Sequence, residues 1–104
     1  MAFKSLFIAH APNADSNEHK SIIDTGKYRL VSCLVSTQEE AIKTAIETHA
    51  VENLDAILLC PGFTSENVAE LYKALNAEVG VSVARSDGPS SKVVMNAFMR
   101  EGFF

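Results

Sequence analysis

His10, Cys60 and Arg85 are the residues of this 104-residue chain whose types could do chemistry together. A thiol that ends a strand and precedes a helix start feels the positive end of the helix dipole, which favours the thiolate. Cys60 has that position in Leu59-Cys60-Pro61-Gly62, ahead of Thr64-Ser65. Two readings of it stand: a nucleophile, or a small apolar side chain filling the strand, the commoner use of cysteine. His10 ends an apolar run, where an imidazole can serve as a base for Cys60, as a hydrogen-bond donor to a ligand, or as a plain polar end to the strand. Arg85 and Asp87 read either as a surface ion pair or as an anion clamp beside the Thr64-Ser65 helix start. With the turn residues Asn13 and Gly62, these give the candidate ligand set His10, Asn13, Cys60, Gly62, Thr64, Ser65, Arg85 and Asp87. Cys60 and His10 are the candidates for catalysis.

Other chemistries find no support. Cys60-Pro61-Gly62-Phe63 has one glycine, no Walker lysine and no dinucleotide fingerprint, so no nucleotide cofactor is expected. His10, His19 and His49 lack metal-ligand spacing with each other and with Cys33 and Cys60, so no metal is expected. A formal charge of -4 and singly scattered basic residues argue against a nucleic-acid partner. No apolar run is long enough to span a membrane. Met1-Ala2-Phe3-Lys4 does not open a secretory signal, which makes a cytoplasmic location the expectation and leaves both cysteines as free thiols.

Those side chains need elements to hold them. Residues 1–104 read as a single α/β domain, with a hydrophobic fraction of 47% and a charged fraction of 21%. Ser5 to Pro12 is a continuous apolar run that predicts a central strand. Asp15 and Glu18 have capping-box spacing, which predicts a short helix to about Asp24, ended by Thr25-Gly26. Tyr28 to Val35, interrupted by Ser32 and Cys33, predicts an edge strand. Ser36-Thr37 caps a helix with Ala41, Ile42, Ala45, Ile46 and Ala50 on one stripe. Leu54 to Cys60 predicts a buried strand, and Thr64 to Asn76 a helix. Val79 to Arg85 predicts another edge strand, and Ser90 or Ser91 opens a final helix ending near Gly102. Phe103-Phe104 is then a bare apolar terminus.

The expectation is a small flavodoxin-like doubly wound sheet, βαβαβαβ plus a C-terminal helix, with four parallel strands ordered 2-1-3-4 in chain numbering. A ligand crevice then lies beyond the carboxyl ends of the first and third strands, where the order reverses and where neighbouring strand ends stand about 5 Å apart. The predicted first helix is too short to cover one sheet face alone. The C-terminal helix, a partner subunit or both must complete that face; a homodimer is expected, with Phe98, Phe103 and Phe104 as apolar area for it, the alternative being a tail folded back on its own subunit.

At Ala11-Pro12-Asn13-Ala14-Asp15, Glu39-Glu40-Ala41 and Cys60-Pro61-Gly62-Phe63, over roughly residues 3 to 87, the chain resembles a family of small uncharacterised bacterial α/β proteins, a domain of unknown function. The family pattern is closer to Ala-Pro-Gly-Ala-Asp and Cys-Gly-Gly-Phe, from which Asn13 and Pro61 depart. The resemblance implies the fold and the place of the site, and no reaction. Two functions fit: binding of a small molecule or anion at the strand ends, with or without catalysis, and a non-catalytic oligomeric structural or regulatory module.

Overall fold

The computed structural model describes residues 1–103. Within them the elements run β1 (Phe3–His10), β2 (Lys20–Asp24), β3 (Tyr28–Val35), α1 (Gln38–Glu52), β4 (Ala56–Leu59), α2 (Ser65–Ala74), β5 (Gly80–Val83) and α3 (Gly88–Arg100). The strands form one five-stranded sheet in the order β2-β3-β1-β4-β5. β3, β1, β4 and β5 run parallel, whereas β2 pairs antiparallel with β3.

The expectation of four all-parallel strands is therefore corrected: the sheet is mixed and has a fifth strand where a first helix was expected. Asp15 and Glu18 do not build a capping box. The Asp15 carboxylate accepts from Asn17 N–H at 2.9 Å, and its main-chain N–H is taken up by His19 Nδ1 at 2.9 Å, closing a turn upon itself. Competing side-chain bonds of this kind stop a helix from propagating. Ile22 and Ile23 then go to opposite faces of β2, paired with Val31 and Leu30.

Gly26 is likewise a hairpin residue rather than a helix end. Its φ of 91° needs a residue without Cβ, and its N–H is held by the Asp24 side chain at 2.7 Å. Thr25 Oγ1 accepts from Lys27 and Tyr28 within the same turn. β2 thereby occupies the outer side of β3, so Tyr28–Val35 lies inside the sheet and not at its edge.

Both crossover helices form where the sequence caps them. Thr37 accepts from Glu40 N–H at the start of α1, and Asn53 ends it in the left-handed conformation, φ 59°. Thr64 and Asn67 form a reciprocal capping box at the start of α2. The core is one layer, in which Ala41 and Ala45 of α1 and Leu71 of α2 meet Leu6, Ile8, Val31, Val35, Ile57 and Leu59 of the sheet. Each such leucine or isoleucine contributes roughly 1.5–3 kcal/mol by leaving water. Arg29 ties the layers at one end, donating to Glu52 of α1 at 2.7 Å and to Asp24 of β2 at 3.1 Å.

The helices cover only one face of the sheet, whereas a doubly wound arrangement covers both. The other face carries Phe3, Ile23, Tyr28, Leu34 and Leu58 exposed. α3, opened by Pro89, has no buried residue, and its last turn lies at the carboxyl ends of the strands.

Candidate functional site at the carboxyl ends of the strands

β1 and β4 are neighbours whose following loops diverge, β1 leading towards β2 and β4 towards α2. A cavity of about 310 Å³ opens between them, lined by His10, Ala11, Pro12, Ser36, Cys60 and Gly62, and walled by Phe98, Gly102 and Phe103 from the C-terminal segment. Its volume is at the small end of ligand pockets. Among the described residues the lining has no lysine, arginine, aspartate or glutamate.

His10 is fixed by the sheet and by an aromatic neighbour. Its main chain continues the β1–β3 ladder opposite Val35, and its ring meets Phe63 edge-on at a centroid distance of 4.2 Å. Burial pushes the imidazole pKa below its ordinary value, so the neutral ring is favoured. Nε2 is buried and, among the described residues, has no hydrogen-bond partner. A buried, unpartnered ring nitrogen is costly unless something hydrogen-bonds to it.

Cys60 begins the Cys60–Phe63 turn, closed by Phe63 N–H on the Cys60 carbonyl at 3.2 Å. Its main chain is anchored to Ile8 O at 3.0 Å. The sulfur accepts the main-chain N–H of His10 at 3.4 Å. This contact to His10 is through the backbone, so the arrangement is not a thiol–imidazole dyad. Gly62 lies over the sulfur: a Cβ there would stand 3.5 Å from Sγ, ordinary contact.

The remaining candidates take other places. Thr64 spends its side chain on the α2 cap, and Ser65 is the first residue of that helix. Arg85 and Asp87 hold each other at 2.8 Å in full view of solvent, a surface ion pair, and neither lines the cavity. Asn13 is also off the lining, and its φ of 61° is a left-handed conformation that asparagine tolerates. The sequence missed Ser36 as a wall residue and the return of Phe98, Gly102 and Phe103 to the strand ends. Phe98 stacks on Phe103 at 4.7 Å, and that apolar tail was the one available signal. Phe104 lies outside the described residues.

Among the described residues no group of three or more His, Cys, Asp or Glu side chains could hold a metal, and no helix is long and apolar enough to cross a membrane. A second depression, about 220 Å³ between β2 and α1, is lined by Lys20, Glu47 and Glu52, of which Glu52 is already committed to Arg29. No curated protein and no solved structure matches the chain. A family model does, over residues 3–99, and the chain belongs to that family, DUF6506, a family of unknown function.

Proposed function

We propose that the chain binds a small uncharged molecule in the cavity between β1 and β4, with His10 as its hydrogen-bonding group and Phe98 and Phe103 as its apolar wall. The observation that carries this reading is the buried Nε2 of His10 without a partner among the described residues, in a residue lining a cavity at the topological switch of the sheet. An anion is supported less well, since the described residues of the lining offer no fixed positive charge and Arg85 is spent on Asp87. Unpaired Cys33 and Cys60 suit a reducing, cytoplasmic setting.

A thermal-shift screen of uncharged aromatic and amide-bearing metabolites tests it. A binder at about 100 times its Kd should stabilise the fold by about 2.7 kcal/mol, and His10→Ala should abolish the shift. A flat response across the panel, or hits indifferent to His10→Ala, would overturn it.

A second reading, a self-associating module without catalysis, is favoured by the uncovered face of the sheet, where large apolar side chains stand exposed in a contiguous array.

A further inference from the structure

We infer that the uncovered sheet face is the contact of a homodimer, sheet against sheet, with the two-fold axis running along β1. The inference rests on the self-association reading and adds which surface meets which. By register the strand side chains on this face are uncharged, from Ser21 and Ile23 on β2 to Ser82 on β5, with Glu18 and Lys20 at its β2 rim, although the chain carries a net charge of -4. Charge depletion is the compositional mark of the centre of an interface. Two copies meeting elsewhere would bring like charges together; this face lets them avoid it.

The register supplies the occupant. One row across the sheet reads Ile23, Leu30, Ser5, Ala56, Gly80, large on the β2–β3 side and small on the β4–β5 side. The next row reads Ser21, Ser32, Phe7, Leu58, Ser82, so that across β3 and β4 the order of size is reversed while both outer strands carry serine. A two-fold along β1 places β3 over the partner's β4. Leu30 then faces the partner's Ala56, and Ser32 faces the partner's Leu58, large against small on either side of the axis, while on the axis Phe7 meets the partner's Phe7. The shallow depression of about 380 Å³ around Ser5, Ser32, Ala56 and Ser82 receives the opposing leucines. The same rotation keeps the strands of the two sheets aligned, the commoner way for sheets to pack, about 10 Å apart. An isologous contact of this kind is self-complementary by construction.

The area is that of a small interface. Strands of 8, 5, 8, 4 and 4 residues about 4.8 Å apart present roughly 460 Å² in projection, and more as accessible surface, against a floor of about 500 Å² and a standard of about 800 Å² per partner.

Light scattering and sedimentation equilibrium test this. The wild type should have twice the 11.3 kDa chain mass. Leu58→Lys should give monomer with an unchanged far-ultraviolet dichroism spectrum, while Met95→Lys on exposed α3 should leave the dimer intact. Leu30→Ala and Ala56→Leu should each weaken the dimer by about tenfold or more, and the double variant should recover most of the loss. Leu30 and Ala56 are separated within one chain by β1, so recovery requires contact across the two-fold. A monomeric wild type at 100 µM, a concentration on the order of those at which specific dimers persist, would overturn both the self-association reading and the interface. A dimer that survives Leu58→Lys, or that Met95→Lys breaks, would leave self-association standing and overturn this face. Additive losses in the double variant would overturn the two-fold placement.

Discussion

The two faces of the sheet are made by the same strands and are almost equally apolar, yet one is packed and the other is open. On the helix-covered face Leu6, Ile8, Val35 and Leu59 are fully buried. On the other, Leu58, the immediate neighbour of Leu59, is 42% exposed, and Ile23 is 60% exposed. An apolar run in a strand therefore reports that both faces avoid water, without saying that both are covered by the chain's own helices. What covers each face is a matter of topology, and here the connection from β1 to β3 is a turn and a hairpin strand rather than a helix.

The sharpest way to break this contrast is to truncate adjacent residues. Leu59→Ala should cost about 3 kcal/mol in urea denaturation, whereas Leu58→Ala should cost under about 1 kcal/mol at concentrations low enough for single copies. Equal costs would mean that the open face is packed in solution even within one chain.

The cysteines extend the comparison to chemistry. Cys33 is on the covered face, where burial pushes its thiol above the ordinary value, while Cys60 is half-buried at the cavity. Iodoacetamide should alkylate Cys60 about tenfold faster or more, compared in Cys33→Ser and Cys60→Ser variants. Equal slow labelling would put Cys60 with the core rather than with the cavity.

A smaller effect comes from Glu40, which joins the turn before β2 to the helix layer. The main-chain N–H groups of Ser16, at 3.0 Å, and Ser36, at 2.7 Å, hold its carboxyl below the usual range. A depressed carboxyl adds stability that is present above the unfolded value of 4.5 and disappears as pH falls through the folded value. Glu40→Gln should therefore lose about 1 kcal/mol at pH 7, and the gap to wild type should close in acid. A gap that is constant with pH would assign Glu40 to packing alone.

The smallest expected effect is at His10. Its folded imidazole is the weaker base, so its contribution to stability is present above the unfolded value of 6.5 and is lost as pH falls through the window below it. Between pH 8 and pH 5 the wild type should lose less than about 1 kcal/mol more than His10→Asn does, as read from paired urea titrations. The opposite sign would mean that the folded state pairs the imidazolium.

Much of this was legible from local signals. β1 and the caps at Thr37 and Thr64 follow from apolar runs and side-chain oxygens placed three residues before an amide in need. The switch-point rule brought His10, Cys60 and Gly62 to one cavity because neighbouring strand ends are close whatever the loops do. β2 was not legible. Lys20-Ser21-Ile22-Ile23-Asp24 has polar ends and two adjacent isoleucines, and Asp15 with Glu18 imitates a capping box that the Asp15 turn then forecloses. Arg85 and Asp87 were placed near the site by their strand, but two residues apart on an exposed loop they satisfy each other first.

α3 supplies one wall of the cavity while burying none of its own side chains. Its detachment thus exposes little new apolar surface, and it should open by local unfolding at a free energy well below that of the sheet. In hydrogen exchange the α3 amides should trade long before those of β1, and a ligand held against Phe98 and Phe103 should slow them selectively. Binding of such a ligand should then be coupled to the ordering of the C-terminal segment, the two forming one equilibrium rather than a property of the sheet alone.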